Sequence, residues 1–396
     1  MIKMSSASRE PRTEKRAQNK KNVKINILID ALGWEYVKNR PFLEDIASTK
    51  IPVKSLLGFS SGVIPSILTG KYPREHEHWA LYFYAPETSP FRWSRILSWV
   101  PGNILNSRVS RKIIEEISRR VMGYTGYFET YLIPVEQLKY FDISESRNIY
   151  KPEGIRSADS IFDIFHKNNV NYKCYAYPAK DKEIFLKAKK SIENNESDVY
   201  FLYLSELDHF LHSNCDNNRK VNERISLYED RIMDLYNSAL GAHGSVQLMV
   251  FSDHGMAKVD EAYDLRKEID ASGLKALSDY KAFYDSTMAR FWFSNENARE
   301  NMTTLLKKKP YGRILSREDL LRHGVYFDDD RYGETIFLMN TGTVITPSFM
   351  GNKAPCGMHG YDPDDKKMDA MLVSTEAVQD VGDVRGLFGL IVGGKG

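Results

Sequence analysis

Short apolar runs that alternate with helical stretches restrict the fold of this chain more than any other feature. The runs lie near residues 24–29, 171–177, 198–204 and 246–251, and helical spacing fills 157–168, 181–194 and 221–240. A continuous apolar run indicates a strand buried on both faces, as in a parallel sheet covered by helices. Because alternation with helices is typical of βαβ units, we expect an α/β fold around a parallel sheet.

The charge of the chain is unevenly distributed. The first 24 residues carry eight Lys and Arg against two Glu, so their net charge is 8 − 2 = +6, and about −4 is left for the rest of a chain whose formal net charge is +2. This balance does not favour a nucleic-acid surface. We predict a disordered basic arm over residues 1–22, because this stretch is polar and has no periodicity.

The sequence has no apolar stretch of the kind that enters a membrane. It contains neither the central region of a signal peptide nor 18 consecutive apolar residues. We therefore expect a cytoplasmic protein without a transmembrane segment. Three scattered cysteines favour neither a disulfide framework nor a thiolate zinc site.

Carboxylates and imidazoles follow three of the predicted strands and return on a late loop. They are Asp30, then Asp208 with His212, then Asp253 with His254, and finally His359. Open α/β sheets bind ligands at the carboxyl ends of their strands, although each residue alone could simply cap a helix or turn the chain. Three carboxylates and three imidazoles suit Zn²⁺, Mn²⁺ or Fe²⁺. Six ligands exceed the needs of one tetrahedral zinc ion, so we predict two metal ions.

Two adjacent serines precede a short apolar helix. Pro65 and Gly70 indicate a helix over about 62–69, which places Ser60 and Ser61 at its N-terminus. Free N–H groups and the helix dipole favour an anion there. The alternative is that the serines only cap the helix.

The order of these motifs resembles the alkaline phosphatase superfamily, and within it the type I phosphodiesterase/nucleotide pyrophosphatase branch. The resemblance covers about residues 24–375 in discontinuous blocks. It is carried by Asp30, Ser60, Thr69-Gly70, Tyr72-Pro73, Asp208-x-x-x-His212, Ser252-Asp253-His254-Gly255-Met256 and Gly357-Met358-His359-Gly360-Tyr361.

The resemblance implies a three-layer α/β/α sandwich with a mostly parallel central sheet. One catalytic domain would span 23–396, with cap insertions at about 76–150 and 258–350. One metal would be held by Asp208, His212 and His359, and the other by Asp30, Asp253, His254 and the oxygen of Ser60. The family's nucleophile stands nine residues before the Thr of the Thr-Gly pair, which selects Ser60 over Ser61. The implied reaction cleaves a phosphodiester or pyrophosphate bond through a phosphoserine.

Three departures from the family pattern bear on the reaction. The branch usually has Thr as the nucleophile, and Ser also serves phosphomonoesterases and phosphotransferases. Glu77 stands where the family has Gly, and the usual phosphate-binding Asn has no counterpart near Trp79; His78 or a backbone N–H is the alternative donor. A phosphomonoesterase, a phosphotransferase or a non-catalytic binding protein therefore remain alternatives. A sulfatase is excluded, because Gly62 and Ile64 stand where that branch needs Pro and Arg.

The partners of the protein depend on the insertions. We expect a small-molecule, lipid-linked or sugar-linked phosphate ester as substrate, and the sequence does not determine the oligomeric state. The basic stretch 108–122 has helical spacing. We predict an ordinary surface helix there, with peripheral membrane contact as the alternative. His209 lies beside the proposed ligands and is expected to be a supporting or surface residue.

Overall fold

The computed structural model describes residues 22–97, 99, 104 and 106–393. The predicted disordered arm lies outside these residues, except for Asn22, which begins the first strand. The strands are β1 Asn22–Ile29, β2 Thr49–Val53, β3 Tyr82–Tyr84, β4 Phe141–Ile143, β5 Tyr172–Tyr175, β6 Val199–Leu204, β7 Ser245–Phe251, β8 Ala257–Lys258, β9 Glu261–Tyr263, β10 Tyr280–Tyr284, β11 Met288–Phe293, β12 Gly312–Ile314, β13 Thr335–Met339, β14 Thr343–Ile345, β15 Gly357–Met358 and β16 Ala370–Ser374.

Helices fill most of the connections between these strands. The α-helices are α1 Trp34–Val37, α2 Ser60–Thr69, α3 Pro73–His76, α4 Arg108–Met122, α5 Val135–Leu138, α6 Ile161–Lys167, α7 Asp181–Glu193, α8 Glu206–Asn214, α9 Asn218–Ala242, α10 Leu265–Asp270, α11 Glu296–Lys307, α12 Arg317–Arg322 and α13 Leu387–Val392. Short 3₁₀ helices span Arg92–Leu97, Lys366–Met368 and Val384–Gly386. In the part of the chain that the structure describes, no helix combines the length and the apolar composition needed to cross a bilayer.

A six-stranded sheet forms the centre of the molecule, in the order β2-β16-β7-β1-β6-β5. β1 pairs in parallel with both β6 and β7, so that Ile27 lies opposite Leu202 on one side and Val250 on the other. β16 is the antiparallel strand of the sheet and pairs with β7 and β2. The predicted α/β fold with a mostly parallel central sheet is confirmed.

Helices cover both faces of this sheet, because successive residues of a strand point to opposite sides. On one face, Ile25 and Ile27 of β1 belong to a buried cluster with Ile184 of α7 and Ile232 of α9. On the other, Leu28 belongs to a cluster that contains residues of α2, α6 and α13. The three layers of the predicted sandwich are therefore present.

The two segments that interrupt the sheet pattern form one further core. Tyr82 stacks on Phe283 with ring centroids 5.4 Å apart, and Tyr84 stacks on Trp292 at 4.9 Å. A four-stranded antiparallel sheet, β10-β11-β13-β12, lies in the second segment. In this article the cap denotes residues 76–150 and 258–350 together.

Helix α2 begins earlier than its sequence predicts. Phe59 is the N-cap in an extended conformation, and its carbonyl accepts from the N–H groups of Gly62 at 2.8 Å and Val63 at 3.0 Å. Ser60 is therefore the first helical residue, and Pro65 lies in the interior of the helix instead of its first turn. The end is as predicted, with Gly70 in the left-handed conformation at φ 69°.

Candidate active site

Parallel strand order brings the proposed ligands to one edge of the sheet. Asp30 follows β1 directly, Asp253 and His254 follow β7, and Asp208 lies in the first turn of α8 after β6. His359 arrives from the loop after β15. The structure places all seven predicted residues in two adjoining groups, with the membership that the resemblance implies.

The first group consists of Asp208, His212 and His359. Asp208 and His212 lie four residues apart on α8, so both point to the same side of the helix. His212 Nε2 lies 3.2 Å from Asp208 Oδ2, and His359 Nε2 lies 3.5 Å from Asp208 Oδ1. The candidate ligand atoms of the three residues lie within 4.8 Å of one another.

The second group is more deeply buried and includes the candidate nucleophile. His254 Nε2 lies 3.2 Å from Asp253 Oδ2 and 3.5 Å from Asp30 Oδ1. Ser60 Oγ is 2.9 Å from His254 Nε2 and 3.4 Å from Asp30 Oδ1. Asp30, Asp253 and His254 are each less than 5% exposed, so their charges are shielded from bulk water.

The two groups of candidate ligands are in contact. The imidazole rings of His254 and His359 stack with centroids 3.8 Å apart and an interplanar angle of 12°. The contact between these two rings makes the two groups one continuous site.

Backbone carbonyls fix the orientation of two of the imidazoles. His212 Nδ1 lies 2.8 Å from the carbonyl of Gly357, and His254 Nδ1 lies 2.9 Å from that of Gly255. Since a carbonyl only accepts, each Nδ1 carries the hydrogen and each Nε2 keeps its lone pair toward the site. A metal-binding histidine is usually held in this way.

Several buried polar atoms of the site lack a hydrogen-bond partner among the described residues. They are Asp208 Oδ1, Asp253 Oδ2 and His359 Nδ1. The other oxygen of Asp253 accepts from the N–H groups of Ala31 and His254 at 3.2 and 3.0 Å. Burying a carboxylate oxygen without a partner is costly, and a cation between the carboxylates would compensate it. The donor set therefore fits divalent metal ions.

The electrostatics of the site also fit a cation. Burial, with repulsion from Asp253 and Asp208, raises the pKa of Asp30 well above its usual range, against the opposing hydrogen bonds from Tyr203 and Ser60. Burial and the neighbouring His254 lower the pKa of His359, which stays neutral and able to coordinate. Burial opposes ionisation of Asp208, but the adjoining His212 outweighs it and lowers its pKa.

Tyr203 supports the site and was not predicted from the sequence. Its hydroxyl donates to Asp30 Oδ2 at 2.6 Å, and its ring stacks on Tyr150 with centroids 5.1 Å apart. The available signal was a tyrosine one residue before the end of a buried strand, pointing away from the neighbouring leucines. Tyr203 orients Asp30 so that its other oxygen faces Ser60.

Ser60 and Ser61 differ in their surroundings. The hydroxyl of Ser60 contacts Asp30 and His254, whereas that of Ser61 contacts none of the other proposed site residues in the described structure. Neither serine caps the helix, because Phe59 is the N-cap and no side chain caps α2. The geometry therefore favours Ser60 as the nucleophile, as the spacing in the family implies.

The segment after α3 differs from the family pattern in its structure too. Glu77 holds a left-handed conformation at φ 65°, which explains why glycine suits this position. The indole of Trp79 donates to the carbonyl of Leu57 at 2.6 Å and is fully buried. Among the described residues, His78 makes no contact with the seven site residues, so the structure does not favour it as the phosphate donor.

The loop that carries His359 is attached to the end of α8. The N–H of Cys356 donates to the carbonyl of His212 at 2.7 Å, and the thiol sulfurs of Cys215 and Cys356 lie 3.3 Å apart. All three cysteines are free. These contacts hold His359 beside the two ligands of α8.

Close backbone approach fixes the loop after β7. A Cβ atom at Gly255 would lie 2.0 Å from the carbonyl of Lys367. Only glycine fits this space. The chain that carries Asp253 and His254 therefore packs closely against the backbone of residues 367–369. His209, by contrast, is exposed on α8.

The chain is similar to known proteins in sequence pattern and in fold. A model of the family described as type I phosphodiesterase/nucleotide pyrophosphatase matches residues 25–362. No curated protein sequence matches the chain. Solved structures that match include human ectonucleotide pyrophosphatase/phosphodiesterase 5, which is 13% identical with a TM-score of 0.66 over 94% of this chain and 95% of that chain.

Two structures of the murine protein of the same name are also similar. One is 15% identical with a TM-score of 0.64 and covers 94% of each chain. The other, described as an inactive form in complex with AMP, is 15% identical with a TM-score of 0.63 over 95% of this chain and 96% of that chain. At these identities the likeness is one of fold.

Proposed function

The chain belongs to the type I phosphodiesterase/nucleotide pyrophosphatase family and is a hydrolase of that type, and we propose that it cleaves a phosphodiester or pyrophosphate bond through a phosphoserine at Ser60. The observation that carries this proposal is the contact of Ser60 Oγ with both Asp30 and His254 at the N-terminus of α2. A hydroxyl placed among carboxylates and an imidazole is an uncommon position for a purely structural serine.

Two divalent ions are the proposed cofactors, in a family that is metal-dependent. Asp208, His212 and His359 would hold one ion, and Asp30, Asp253 and His254 the other. The mixture of nitrogen and oxygen ligands suits Zn²⁺ best, with Mn²⁺ or Fe²⁺ as alternatives. When bound, such ions lower the pKa of a nearby hydroxyl and neutralise phosphate charge.

The residues of this chain supply the remaining parts of the reaction. In the structure, Ser60 Oγ lies 2.9 Å from Nε2 of His254, whose Nδ1 donates to the carbonyl of Gly255. Attack would form a bond from Ser60 Oγ to phosphorus and break the bond to the leaving oxygen, with the serine proton passing to water and the leaving oxygen taking up a proton from water. Water would then cleave the phosphoserine and restore the hydroxyl. The start of α2 favours the negative charge of the phosphate, because its first N–H groups point toward the site.

The proposed substrate is a small phosphate ester. The murine protein of similar fold is described in complex with AMP, which supports a nucleotide as the first compound to test. A lipid-linked or sugar-linked phosphate is the alternative, because residues of the cap that line the leaving-group side have no recognisable motif.

A phosphomonoesterase or phosphotransferase is the second candidate. It is compatible with serine at the nucleophile position, which also serves phosphomonoesterases and phosphotransferases. A non-catalytic binding protein is less well supported, because all six ligand positions hold residues that can bind metal. Cytoplasmic location stays a prediction.

The test measures metal content and turnover together. Metal is determined by plasma mass spectrometry, and hydrolysis of bis-p-nitrophenyl phosphate is compared for the wild type, Ser60→Ala and Ser61→Ala. We expect about two metal ions per chain and a loss of turnover of at least about a thousandfold in Ser60→Ala. Ser61→Ala should retain most of its turnover, because it keeps every N–H group of α2.

Other outcomes would redirect or contradict the proposal. Bound metal with turnover of p-nitrophenyl phosphate alone would establish the monoesterase, and transfer to an added alcohol would establish the transferase. Absence of metal after reconstitution would contradict the assignment of the ligands. Equal losses in both serine variants would contradict Ser60 as the nucleophile.

A further inference from the structure

Exposed apolar side chains are concentrated in one part of the cap. Seven of the thirteen exposed large apolar residues among the described side chains lie between 96 and 121, so this region differs from the rest of the surface. Val109, Ile113, Ile117 and Val121 are spaced four residues apart on α4 and are 69, 53, 43 and 74% exposed. We call these four side chains the α4 stripe.

An ordinary surface helix packs its apolar side chains inward. Helix α4 instead turns most of its apolar side chains to solvent and packs polar side chains against the cap. Arg111 is buried and donates to the carbonyls of Ile133 at 2.6 Å and Tyr131 at 2.9 Å. Glu115 accepts from both the N–H and the hydroxyl of Thr130 at 2.7 Å. These hydrogen bonds fix a polar face against the cap and leave the α4 stripe outside. The sequence predicted an ordinary surface helix, and this arrangement differs from it.

Three further exposed apolar residues precede the helix. Ile96, Trp99 and Ile104 are 68, 81 and 55% exposed. The carbonyl of Ile104 accepts from the hydroxyl of Ser110 at 2.8 Å, which places Ile104 beside the first turn of α4. Exposed apolar side chains concentrated in one region of the chain usually mark an interaction site. Exposed tryptophan is typical of the boundary between lipid and water.

The charge around the stripe favours an anionic partner. Residues 108–122 contain five Arg and Lys against two Glu, a net charge of 5 − 2 = +3. Lys112, Arg119 and Arg120 are exposed beside the stripe. An exposed aliphatic stripe flanked by basic residues is the composition of helices that lie in the surface of an anionic membrane. A second copy of this chain would place like charges against one another.

The cap segment that holds α4 also reaches the edge of the sheet where the proposed ligands lie. The ring of Tyr127 contacts that of Tyr177, just after β5, with centroids 5.6 Å apart. We propose that α4 docks the enzyme on the surface of an anionic phospholipid membrane, with the stripe, Trp99 and Ile104 inserted among the lipids. This contact is peripheral and does not depend on the proposed reaction.

The test is flotation of the full chain with phospholipid vesicles. Wild type is compared with the double variant Ile113→Glu and Val121→Glu, on vesicles of phosphatidylcholine alone and of phosphatidylcholine with phosphatidylglycerol. The matched control is Leu186→Glu with Leu240→Glu, which changes two apolar side chains exposed 60 and 46% on α7 and α9. Retained thermal unfolding and turnover of bis-p-nitrophenyl phosphate verify that each variant is folded.

We expect wild type and control to float with the anionic vesicles, more strongly at low salt. The α4 variant should lose at least about tenfold in its partition coefficient. Equal flotation of the α4 variant would assign any binding to another surface, including the basic arm, and would overturn the proposal. Failure of the wild type to float would overturn it too. A wild-type dimer that the α4 variant converts to monomer, without vesicle binding, would assign the stripe to a second copy.

Discussion

Two buried histidines near α2 couple the folding of this protein to pH. His76 Nε2 contacts the hydroxyl of Ser66 at 2.8 Å, and its Nδ1 accepts from the N–H of His78 at 3.2 Å. Burial lowers the pKa of both imidazoles, that of His78 from 6.5 to about 4. The unfolded chain therefore binds a proton at His78 at a higher pH than the folded protein does. The stabilising contribution is present above pH 6.5 and is lost as pH falls toward 4.

We expect His78→Gln to reduce the acid sensitivity of the protein. Between about pH 7 and about pH 4.5, the free energy of unfolding of the variant should fall by about 2–3 kcal/mol less than that of the wild type. Urea unfolding followed by circular dichroism measures the difference. His166→Gln, which removes an exposed imidazole on α6, is the control. Identical pH profiles for wild type and His78→Gln would contradict the assignment.

At the scale of elements, one buried arginine joins the two segments of the cap. Arg290 of β11 is fully buried; its Nε donates to Asp285 Oδ2 at 3.0 Å and its Nη1 to the carbonyl of Tyr82 at 2.7 Å. The guanidinium also lies over the ring of Phe283, 4.6 Å from its centroid. β3 and β11 are more than 200 residues apart in the chain, so Arg290 holds together segments that only the fold brings into contact.

Loss of one partner of this pair should be costly. Arg290→Met leaves Asp285 buried without its cation, and we expect a decrease of about 3–5 kcal/mol in the free energy of unfolding. The double variant Arg290→Met with Asp285→Asn should be less destabilised than the sum of the single changes. Arg299→Met, which breaks a partly exposed pair with Glu334, should cost no more than about 1 kcal/mol. Urea titrations of the wild type and these variants, including Asp285→Asn alone, measure the differences, and additivity would contradict the pairing.

At the scale of the whole molecule, the proposed metal ions connect distant parts of the chain. Their ligands extend from Asp30 to His359 and come from a helix and from loops that follow strands. Metal that binds only the folded state stabilises it by an amount that grows with the logarithm of its affinity.

Removal of metal should therefore lower thermal stability as well as activity. Chelation followed by dialysis should reduce the melting temperature by at least about 5 °C, and readdition of Zn²⁺ should restore it. Differential scanning calorimetry provides the measurement. Asp208→Asn with His212→Gln should respond less to chelation, whereas His209→Gln, which alters an exposed neighbour on α8, should respond like the wild type. An unchanged melting temperature after complete removal of metal would contradict a ligand set that spans the molecule.

The features that were predictable are those that depend on strand ends. Parallel strands place their carboxyl ends at one edge of the sheet, so the proximity of Asp30 and Asp253 was predictable from the sequence. The grouping of His359 with Asp208 and His212 came from the family resemblance. Tyr203 and the bond from Arg290 to Tyr82 depend on contacts between segments far apart in the chain, which periodicity does not report. The outward stripe of α4 depends on hydrogen bonds to residues 130–133, which periodicity does not report either. The start of α2 was predicted too late because Phe59, an apolar residue, serves as its N-cap. The domain bounds and the nature of the metal stay predictions.

Strand β2 has consequences for the synthesis of the protein. In the central sheet it is hydrogen-bonded to β16, and to no other strand of that sheet. Residues 49–53 therefore cannot pair until residues 370–374 have been synthesised. At about 5–20 residues per second, a ribosome needs roughly 15–65 s to make the intervening chain. During that interval the nascent chain carries an unpaired edge just ahead of Ser60. We expect this segment to be a principal binding site for chaperones during translation.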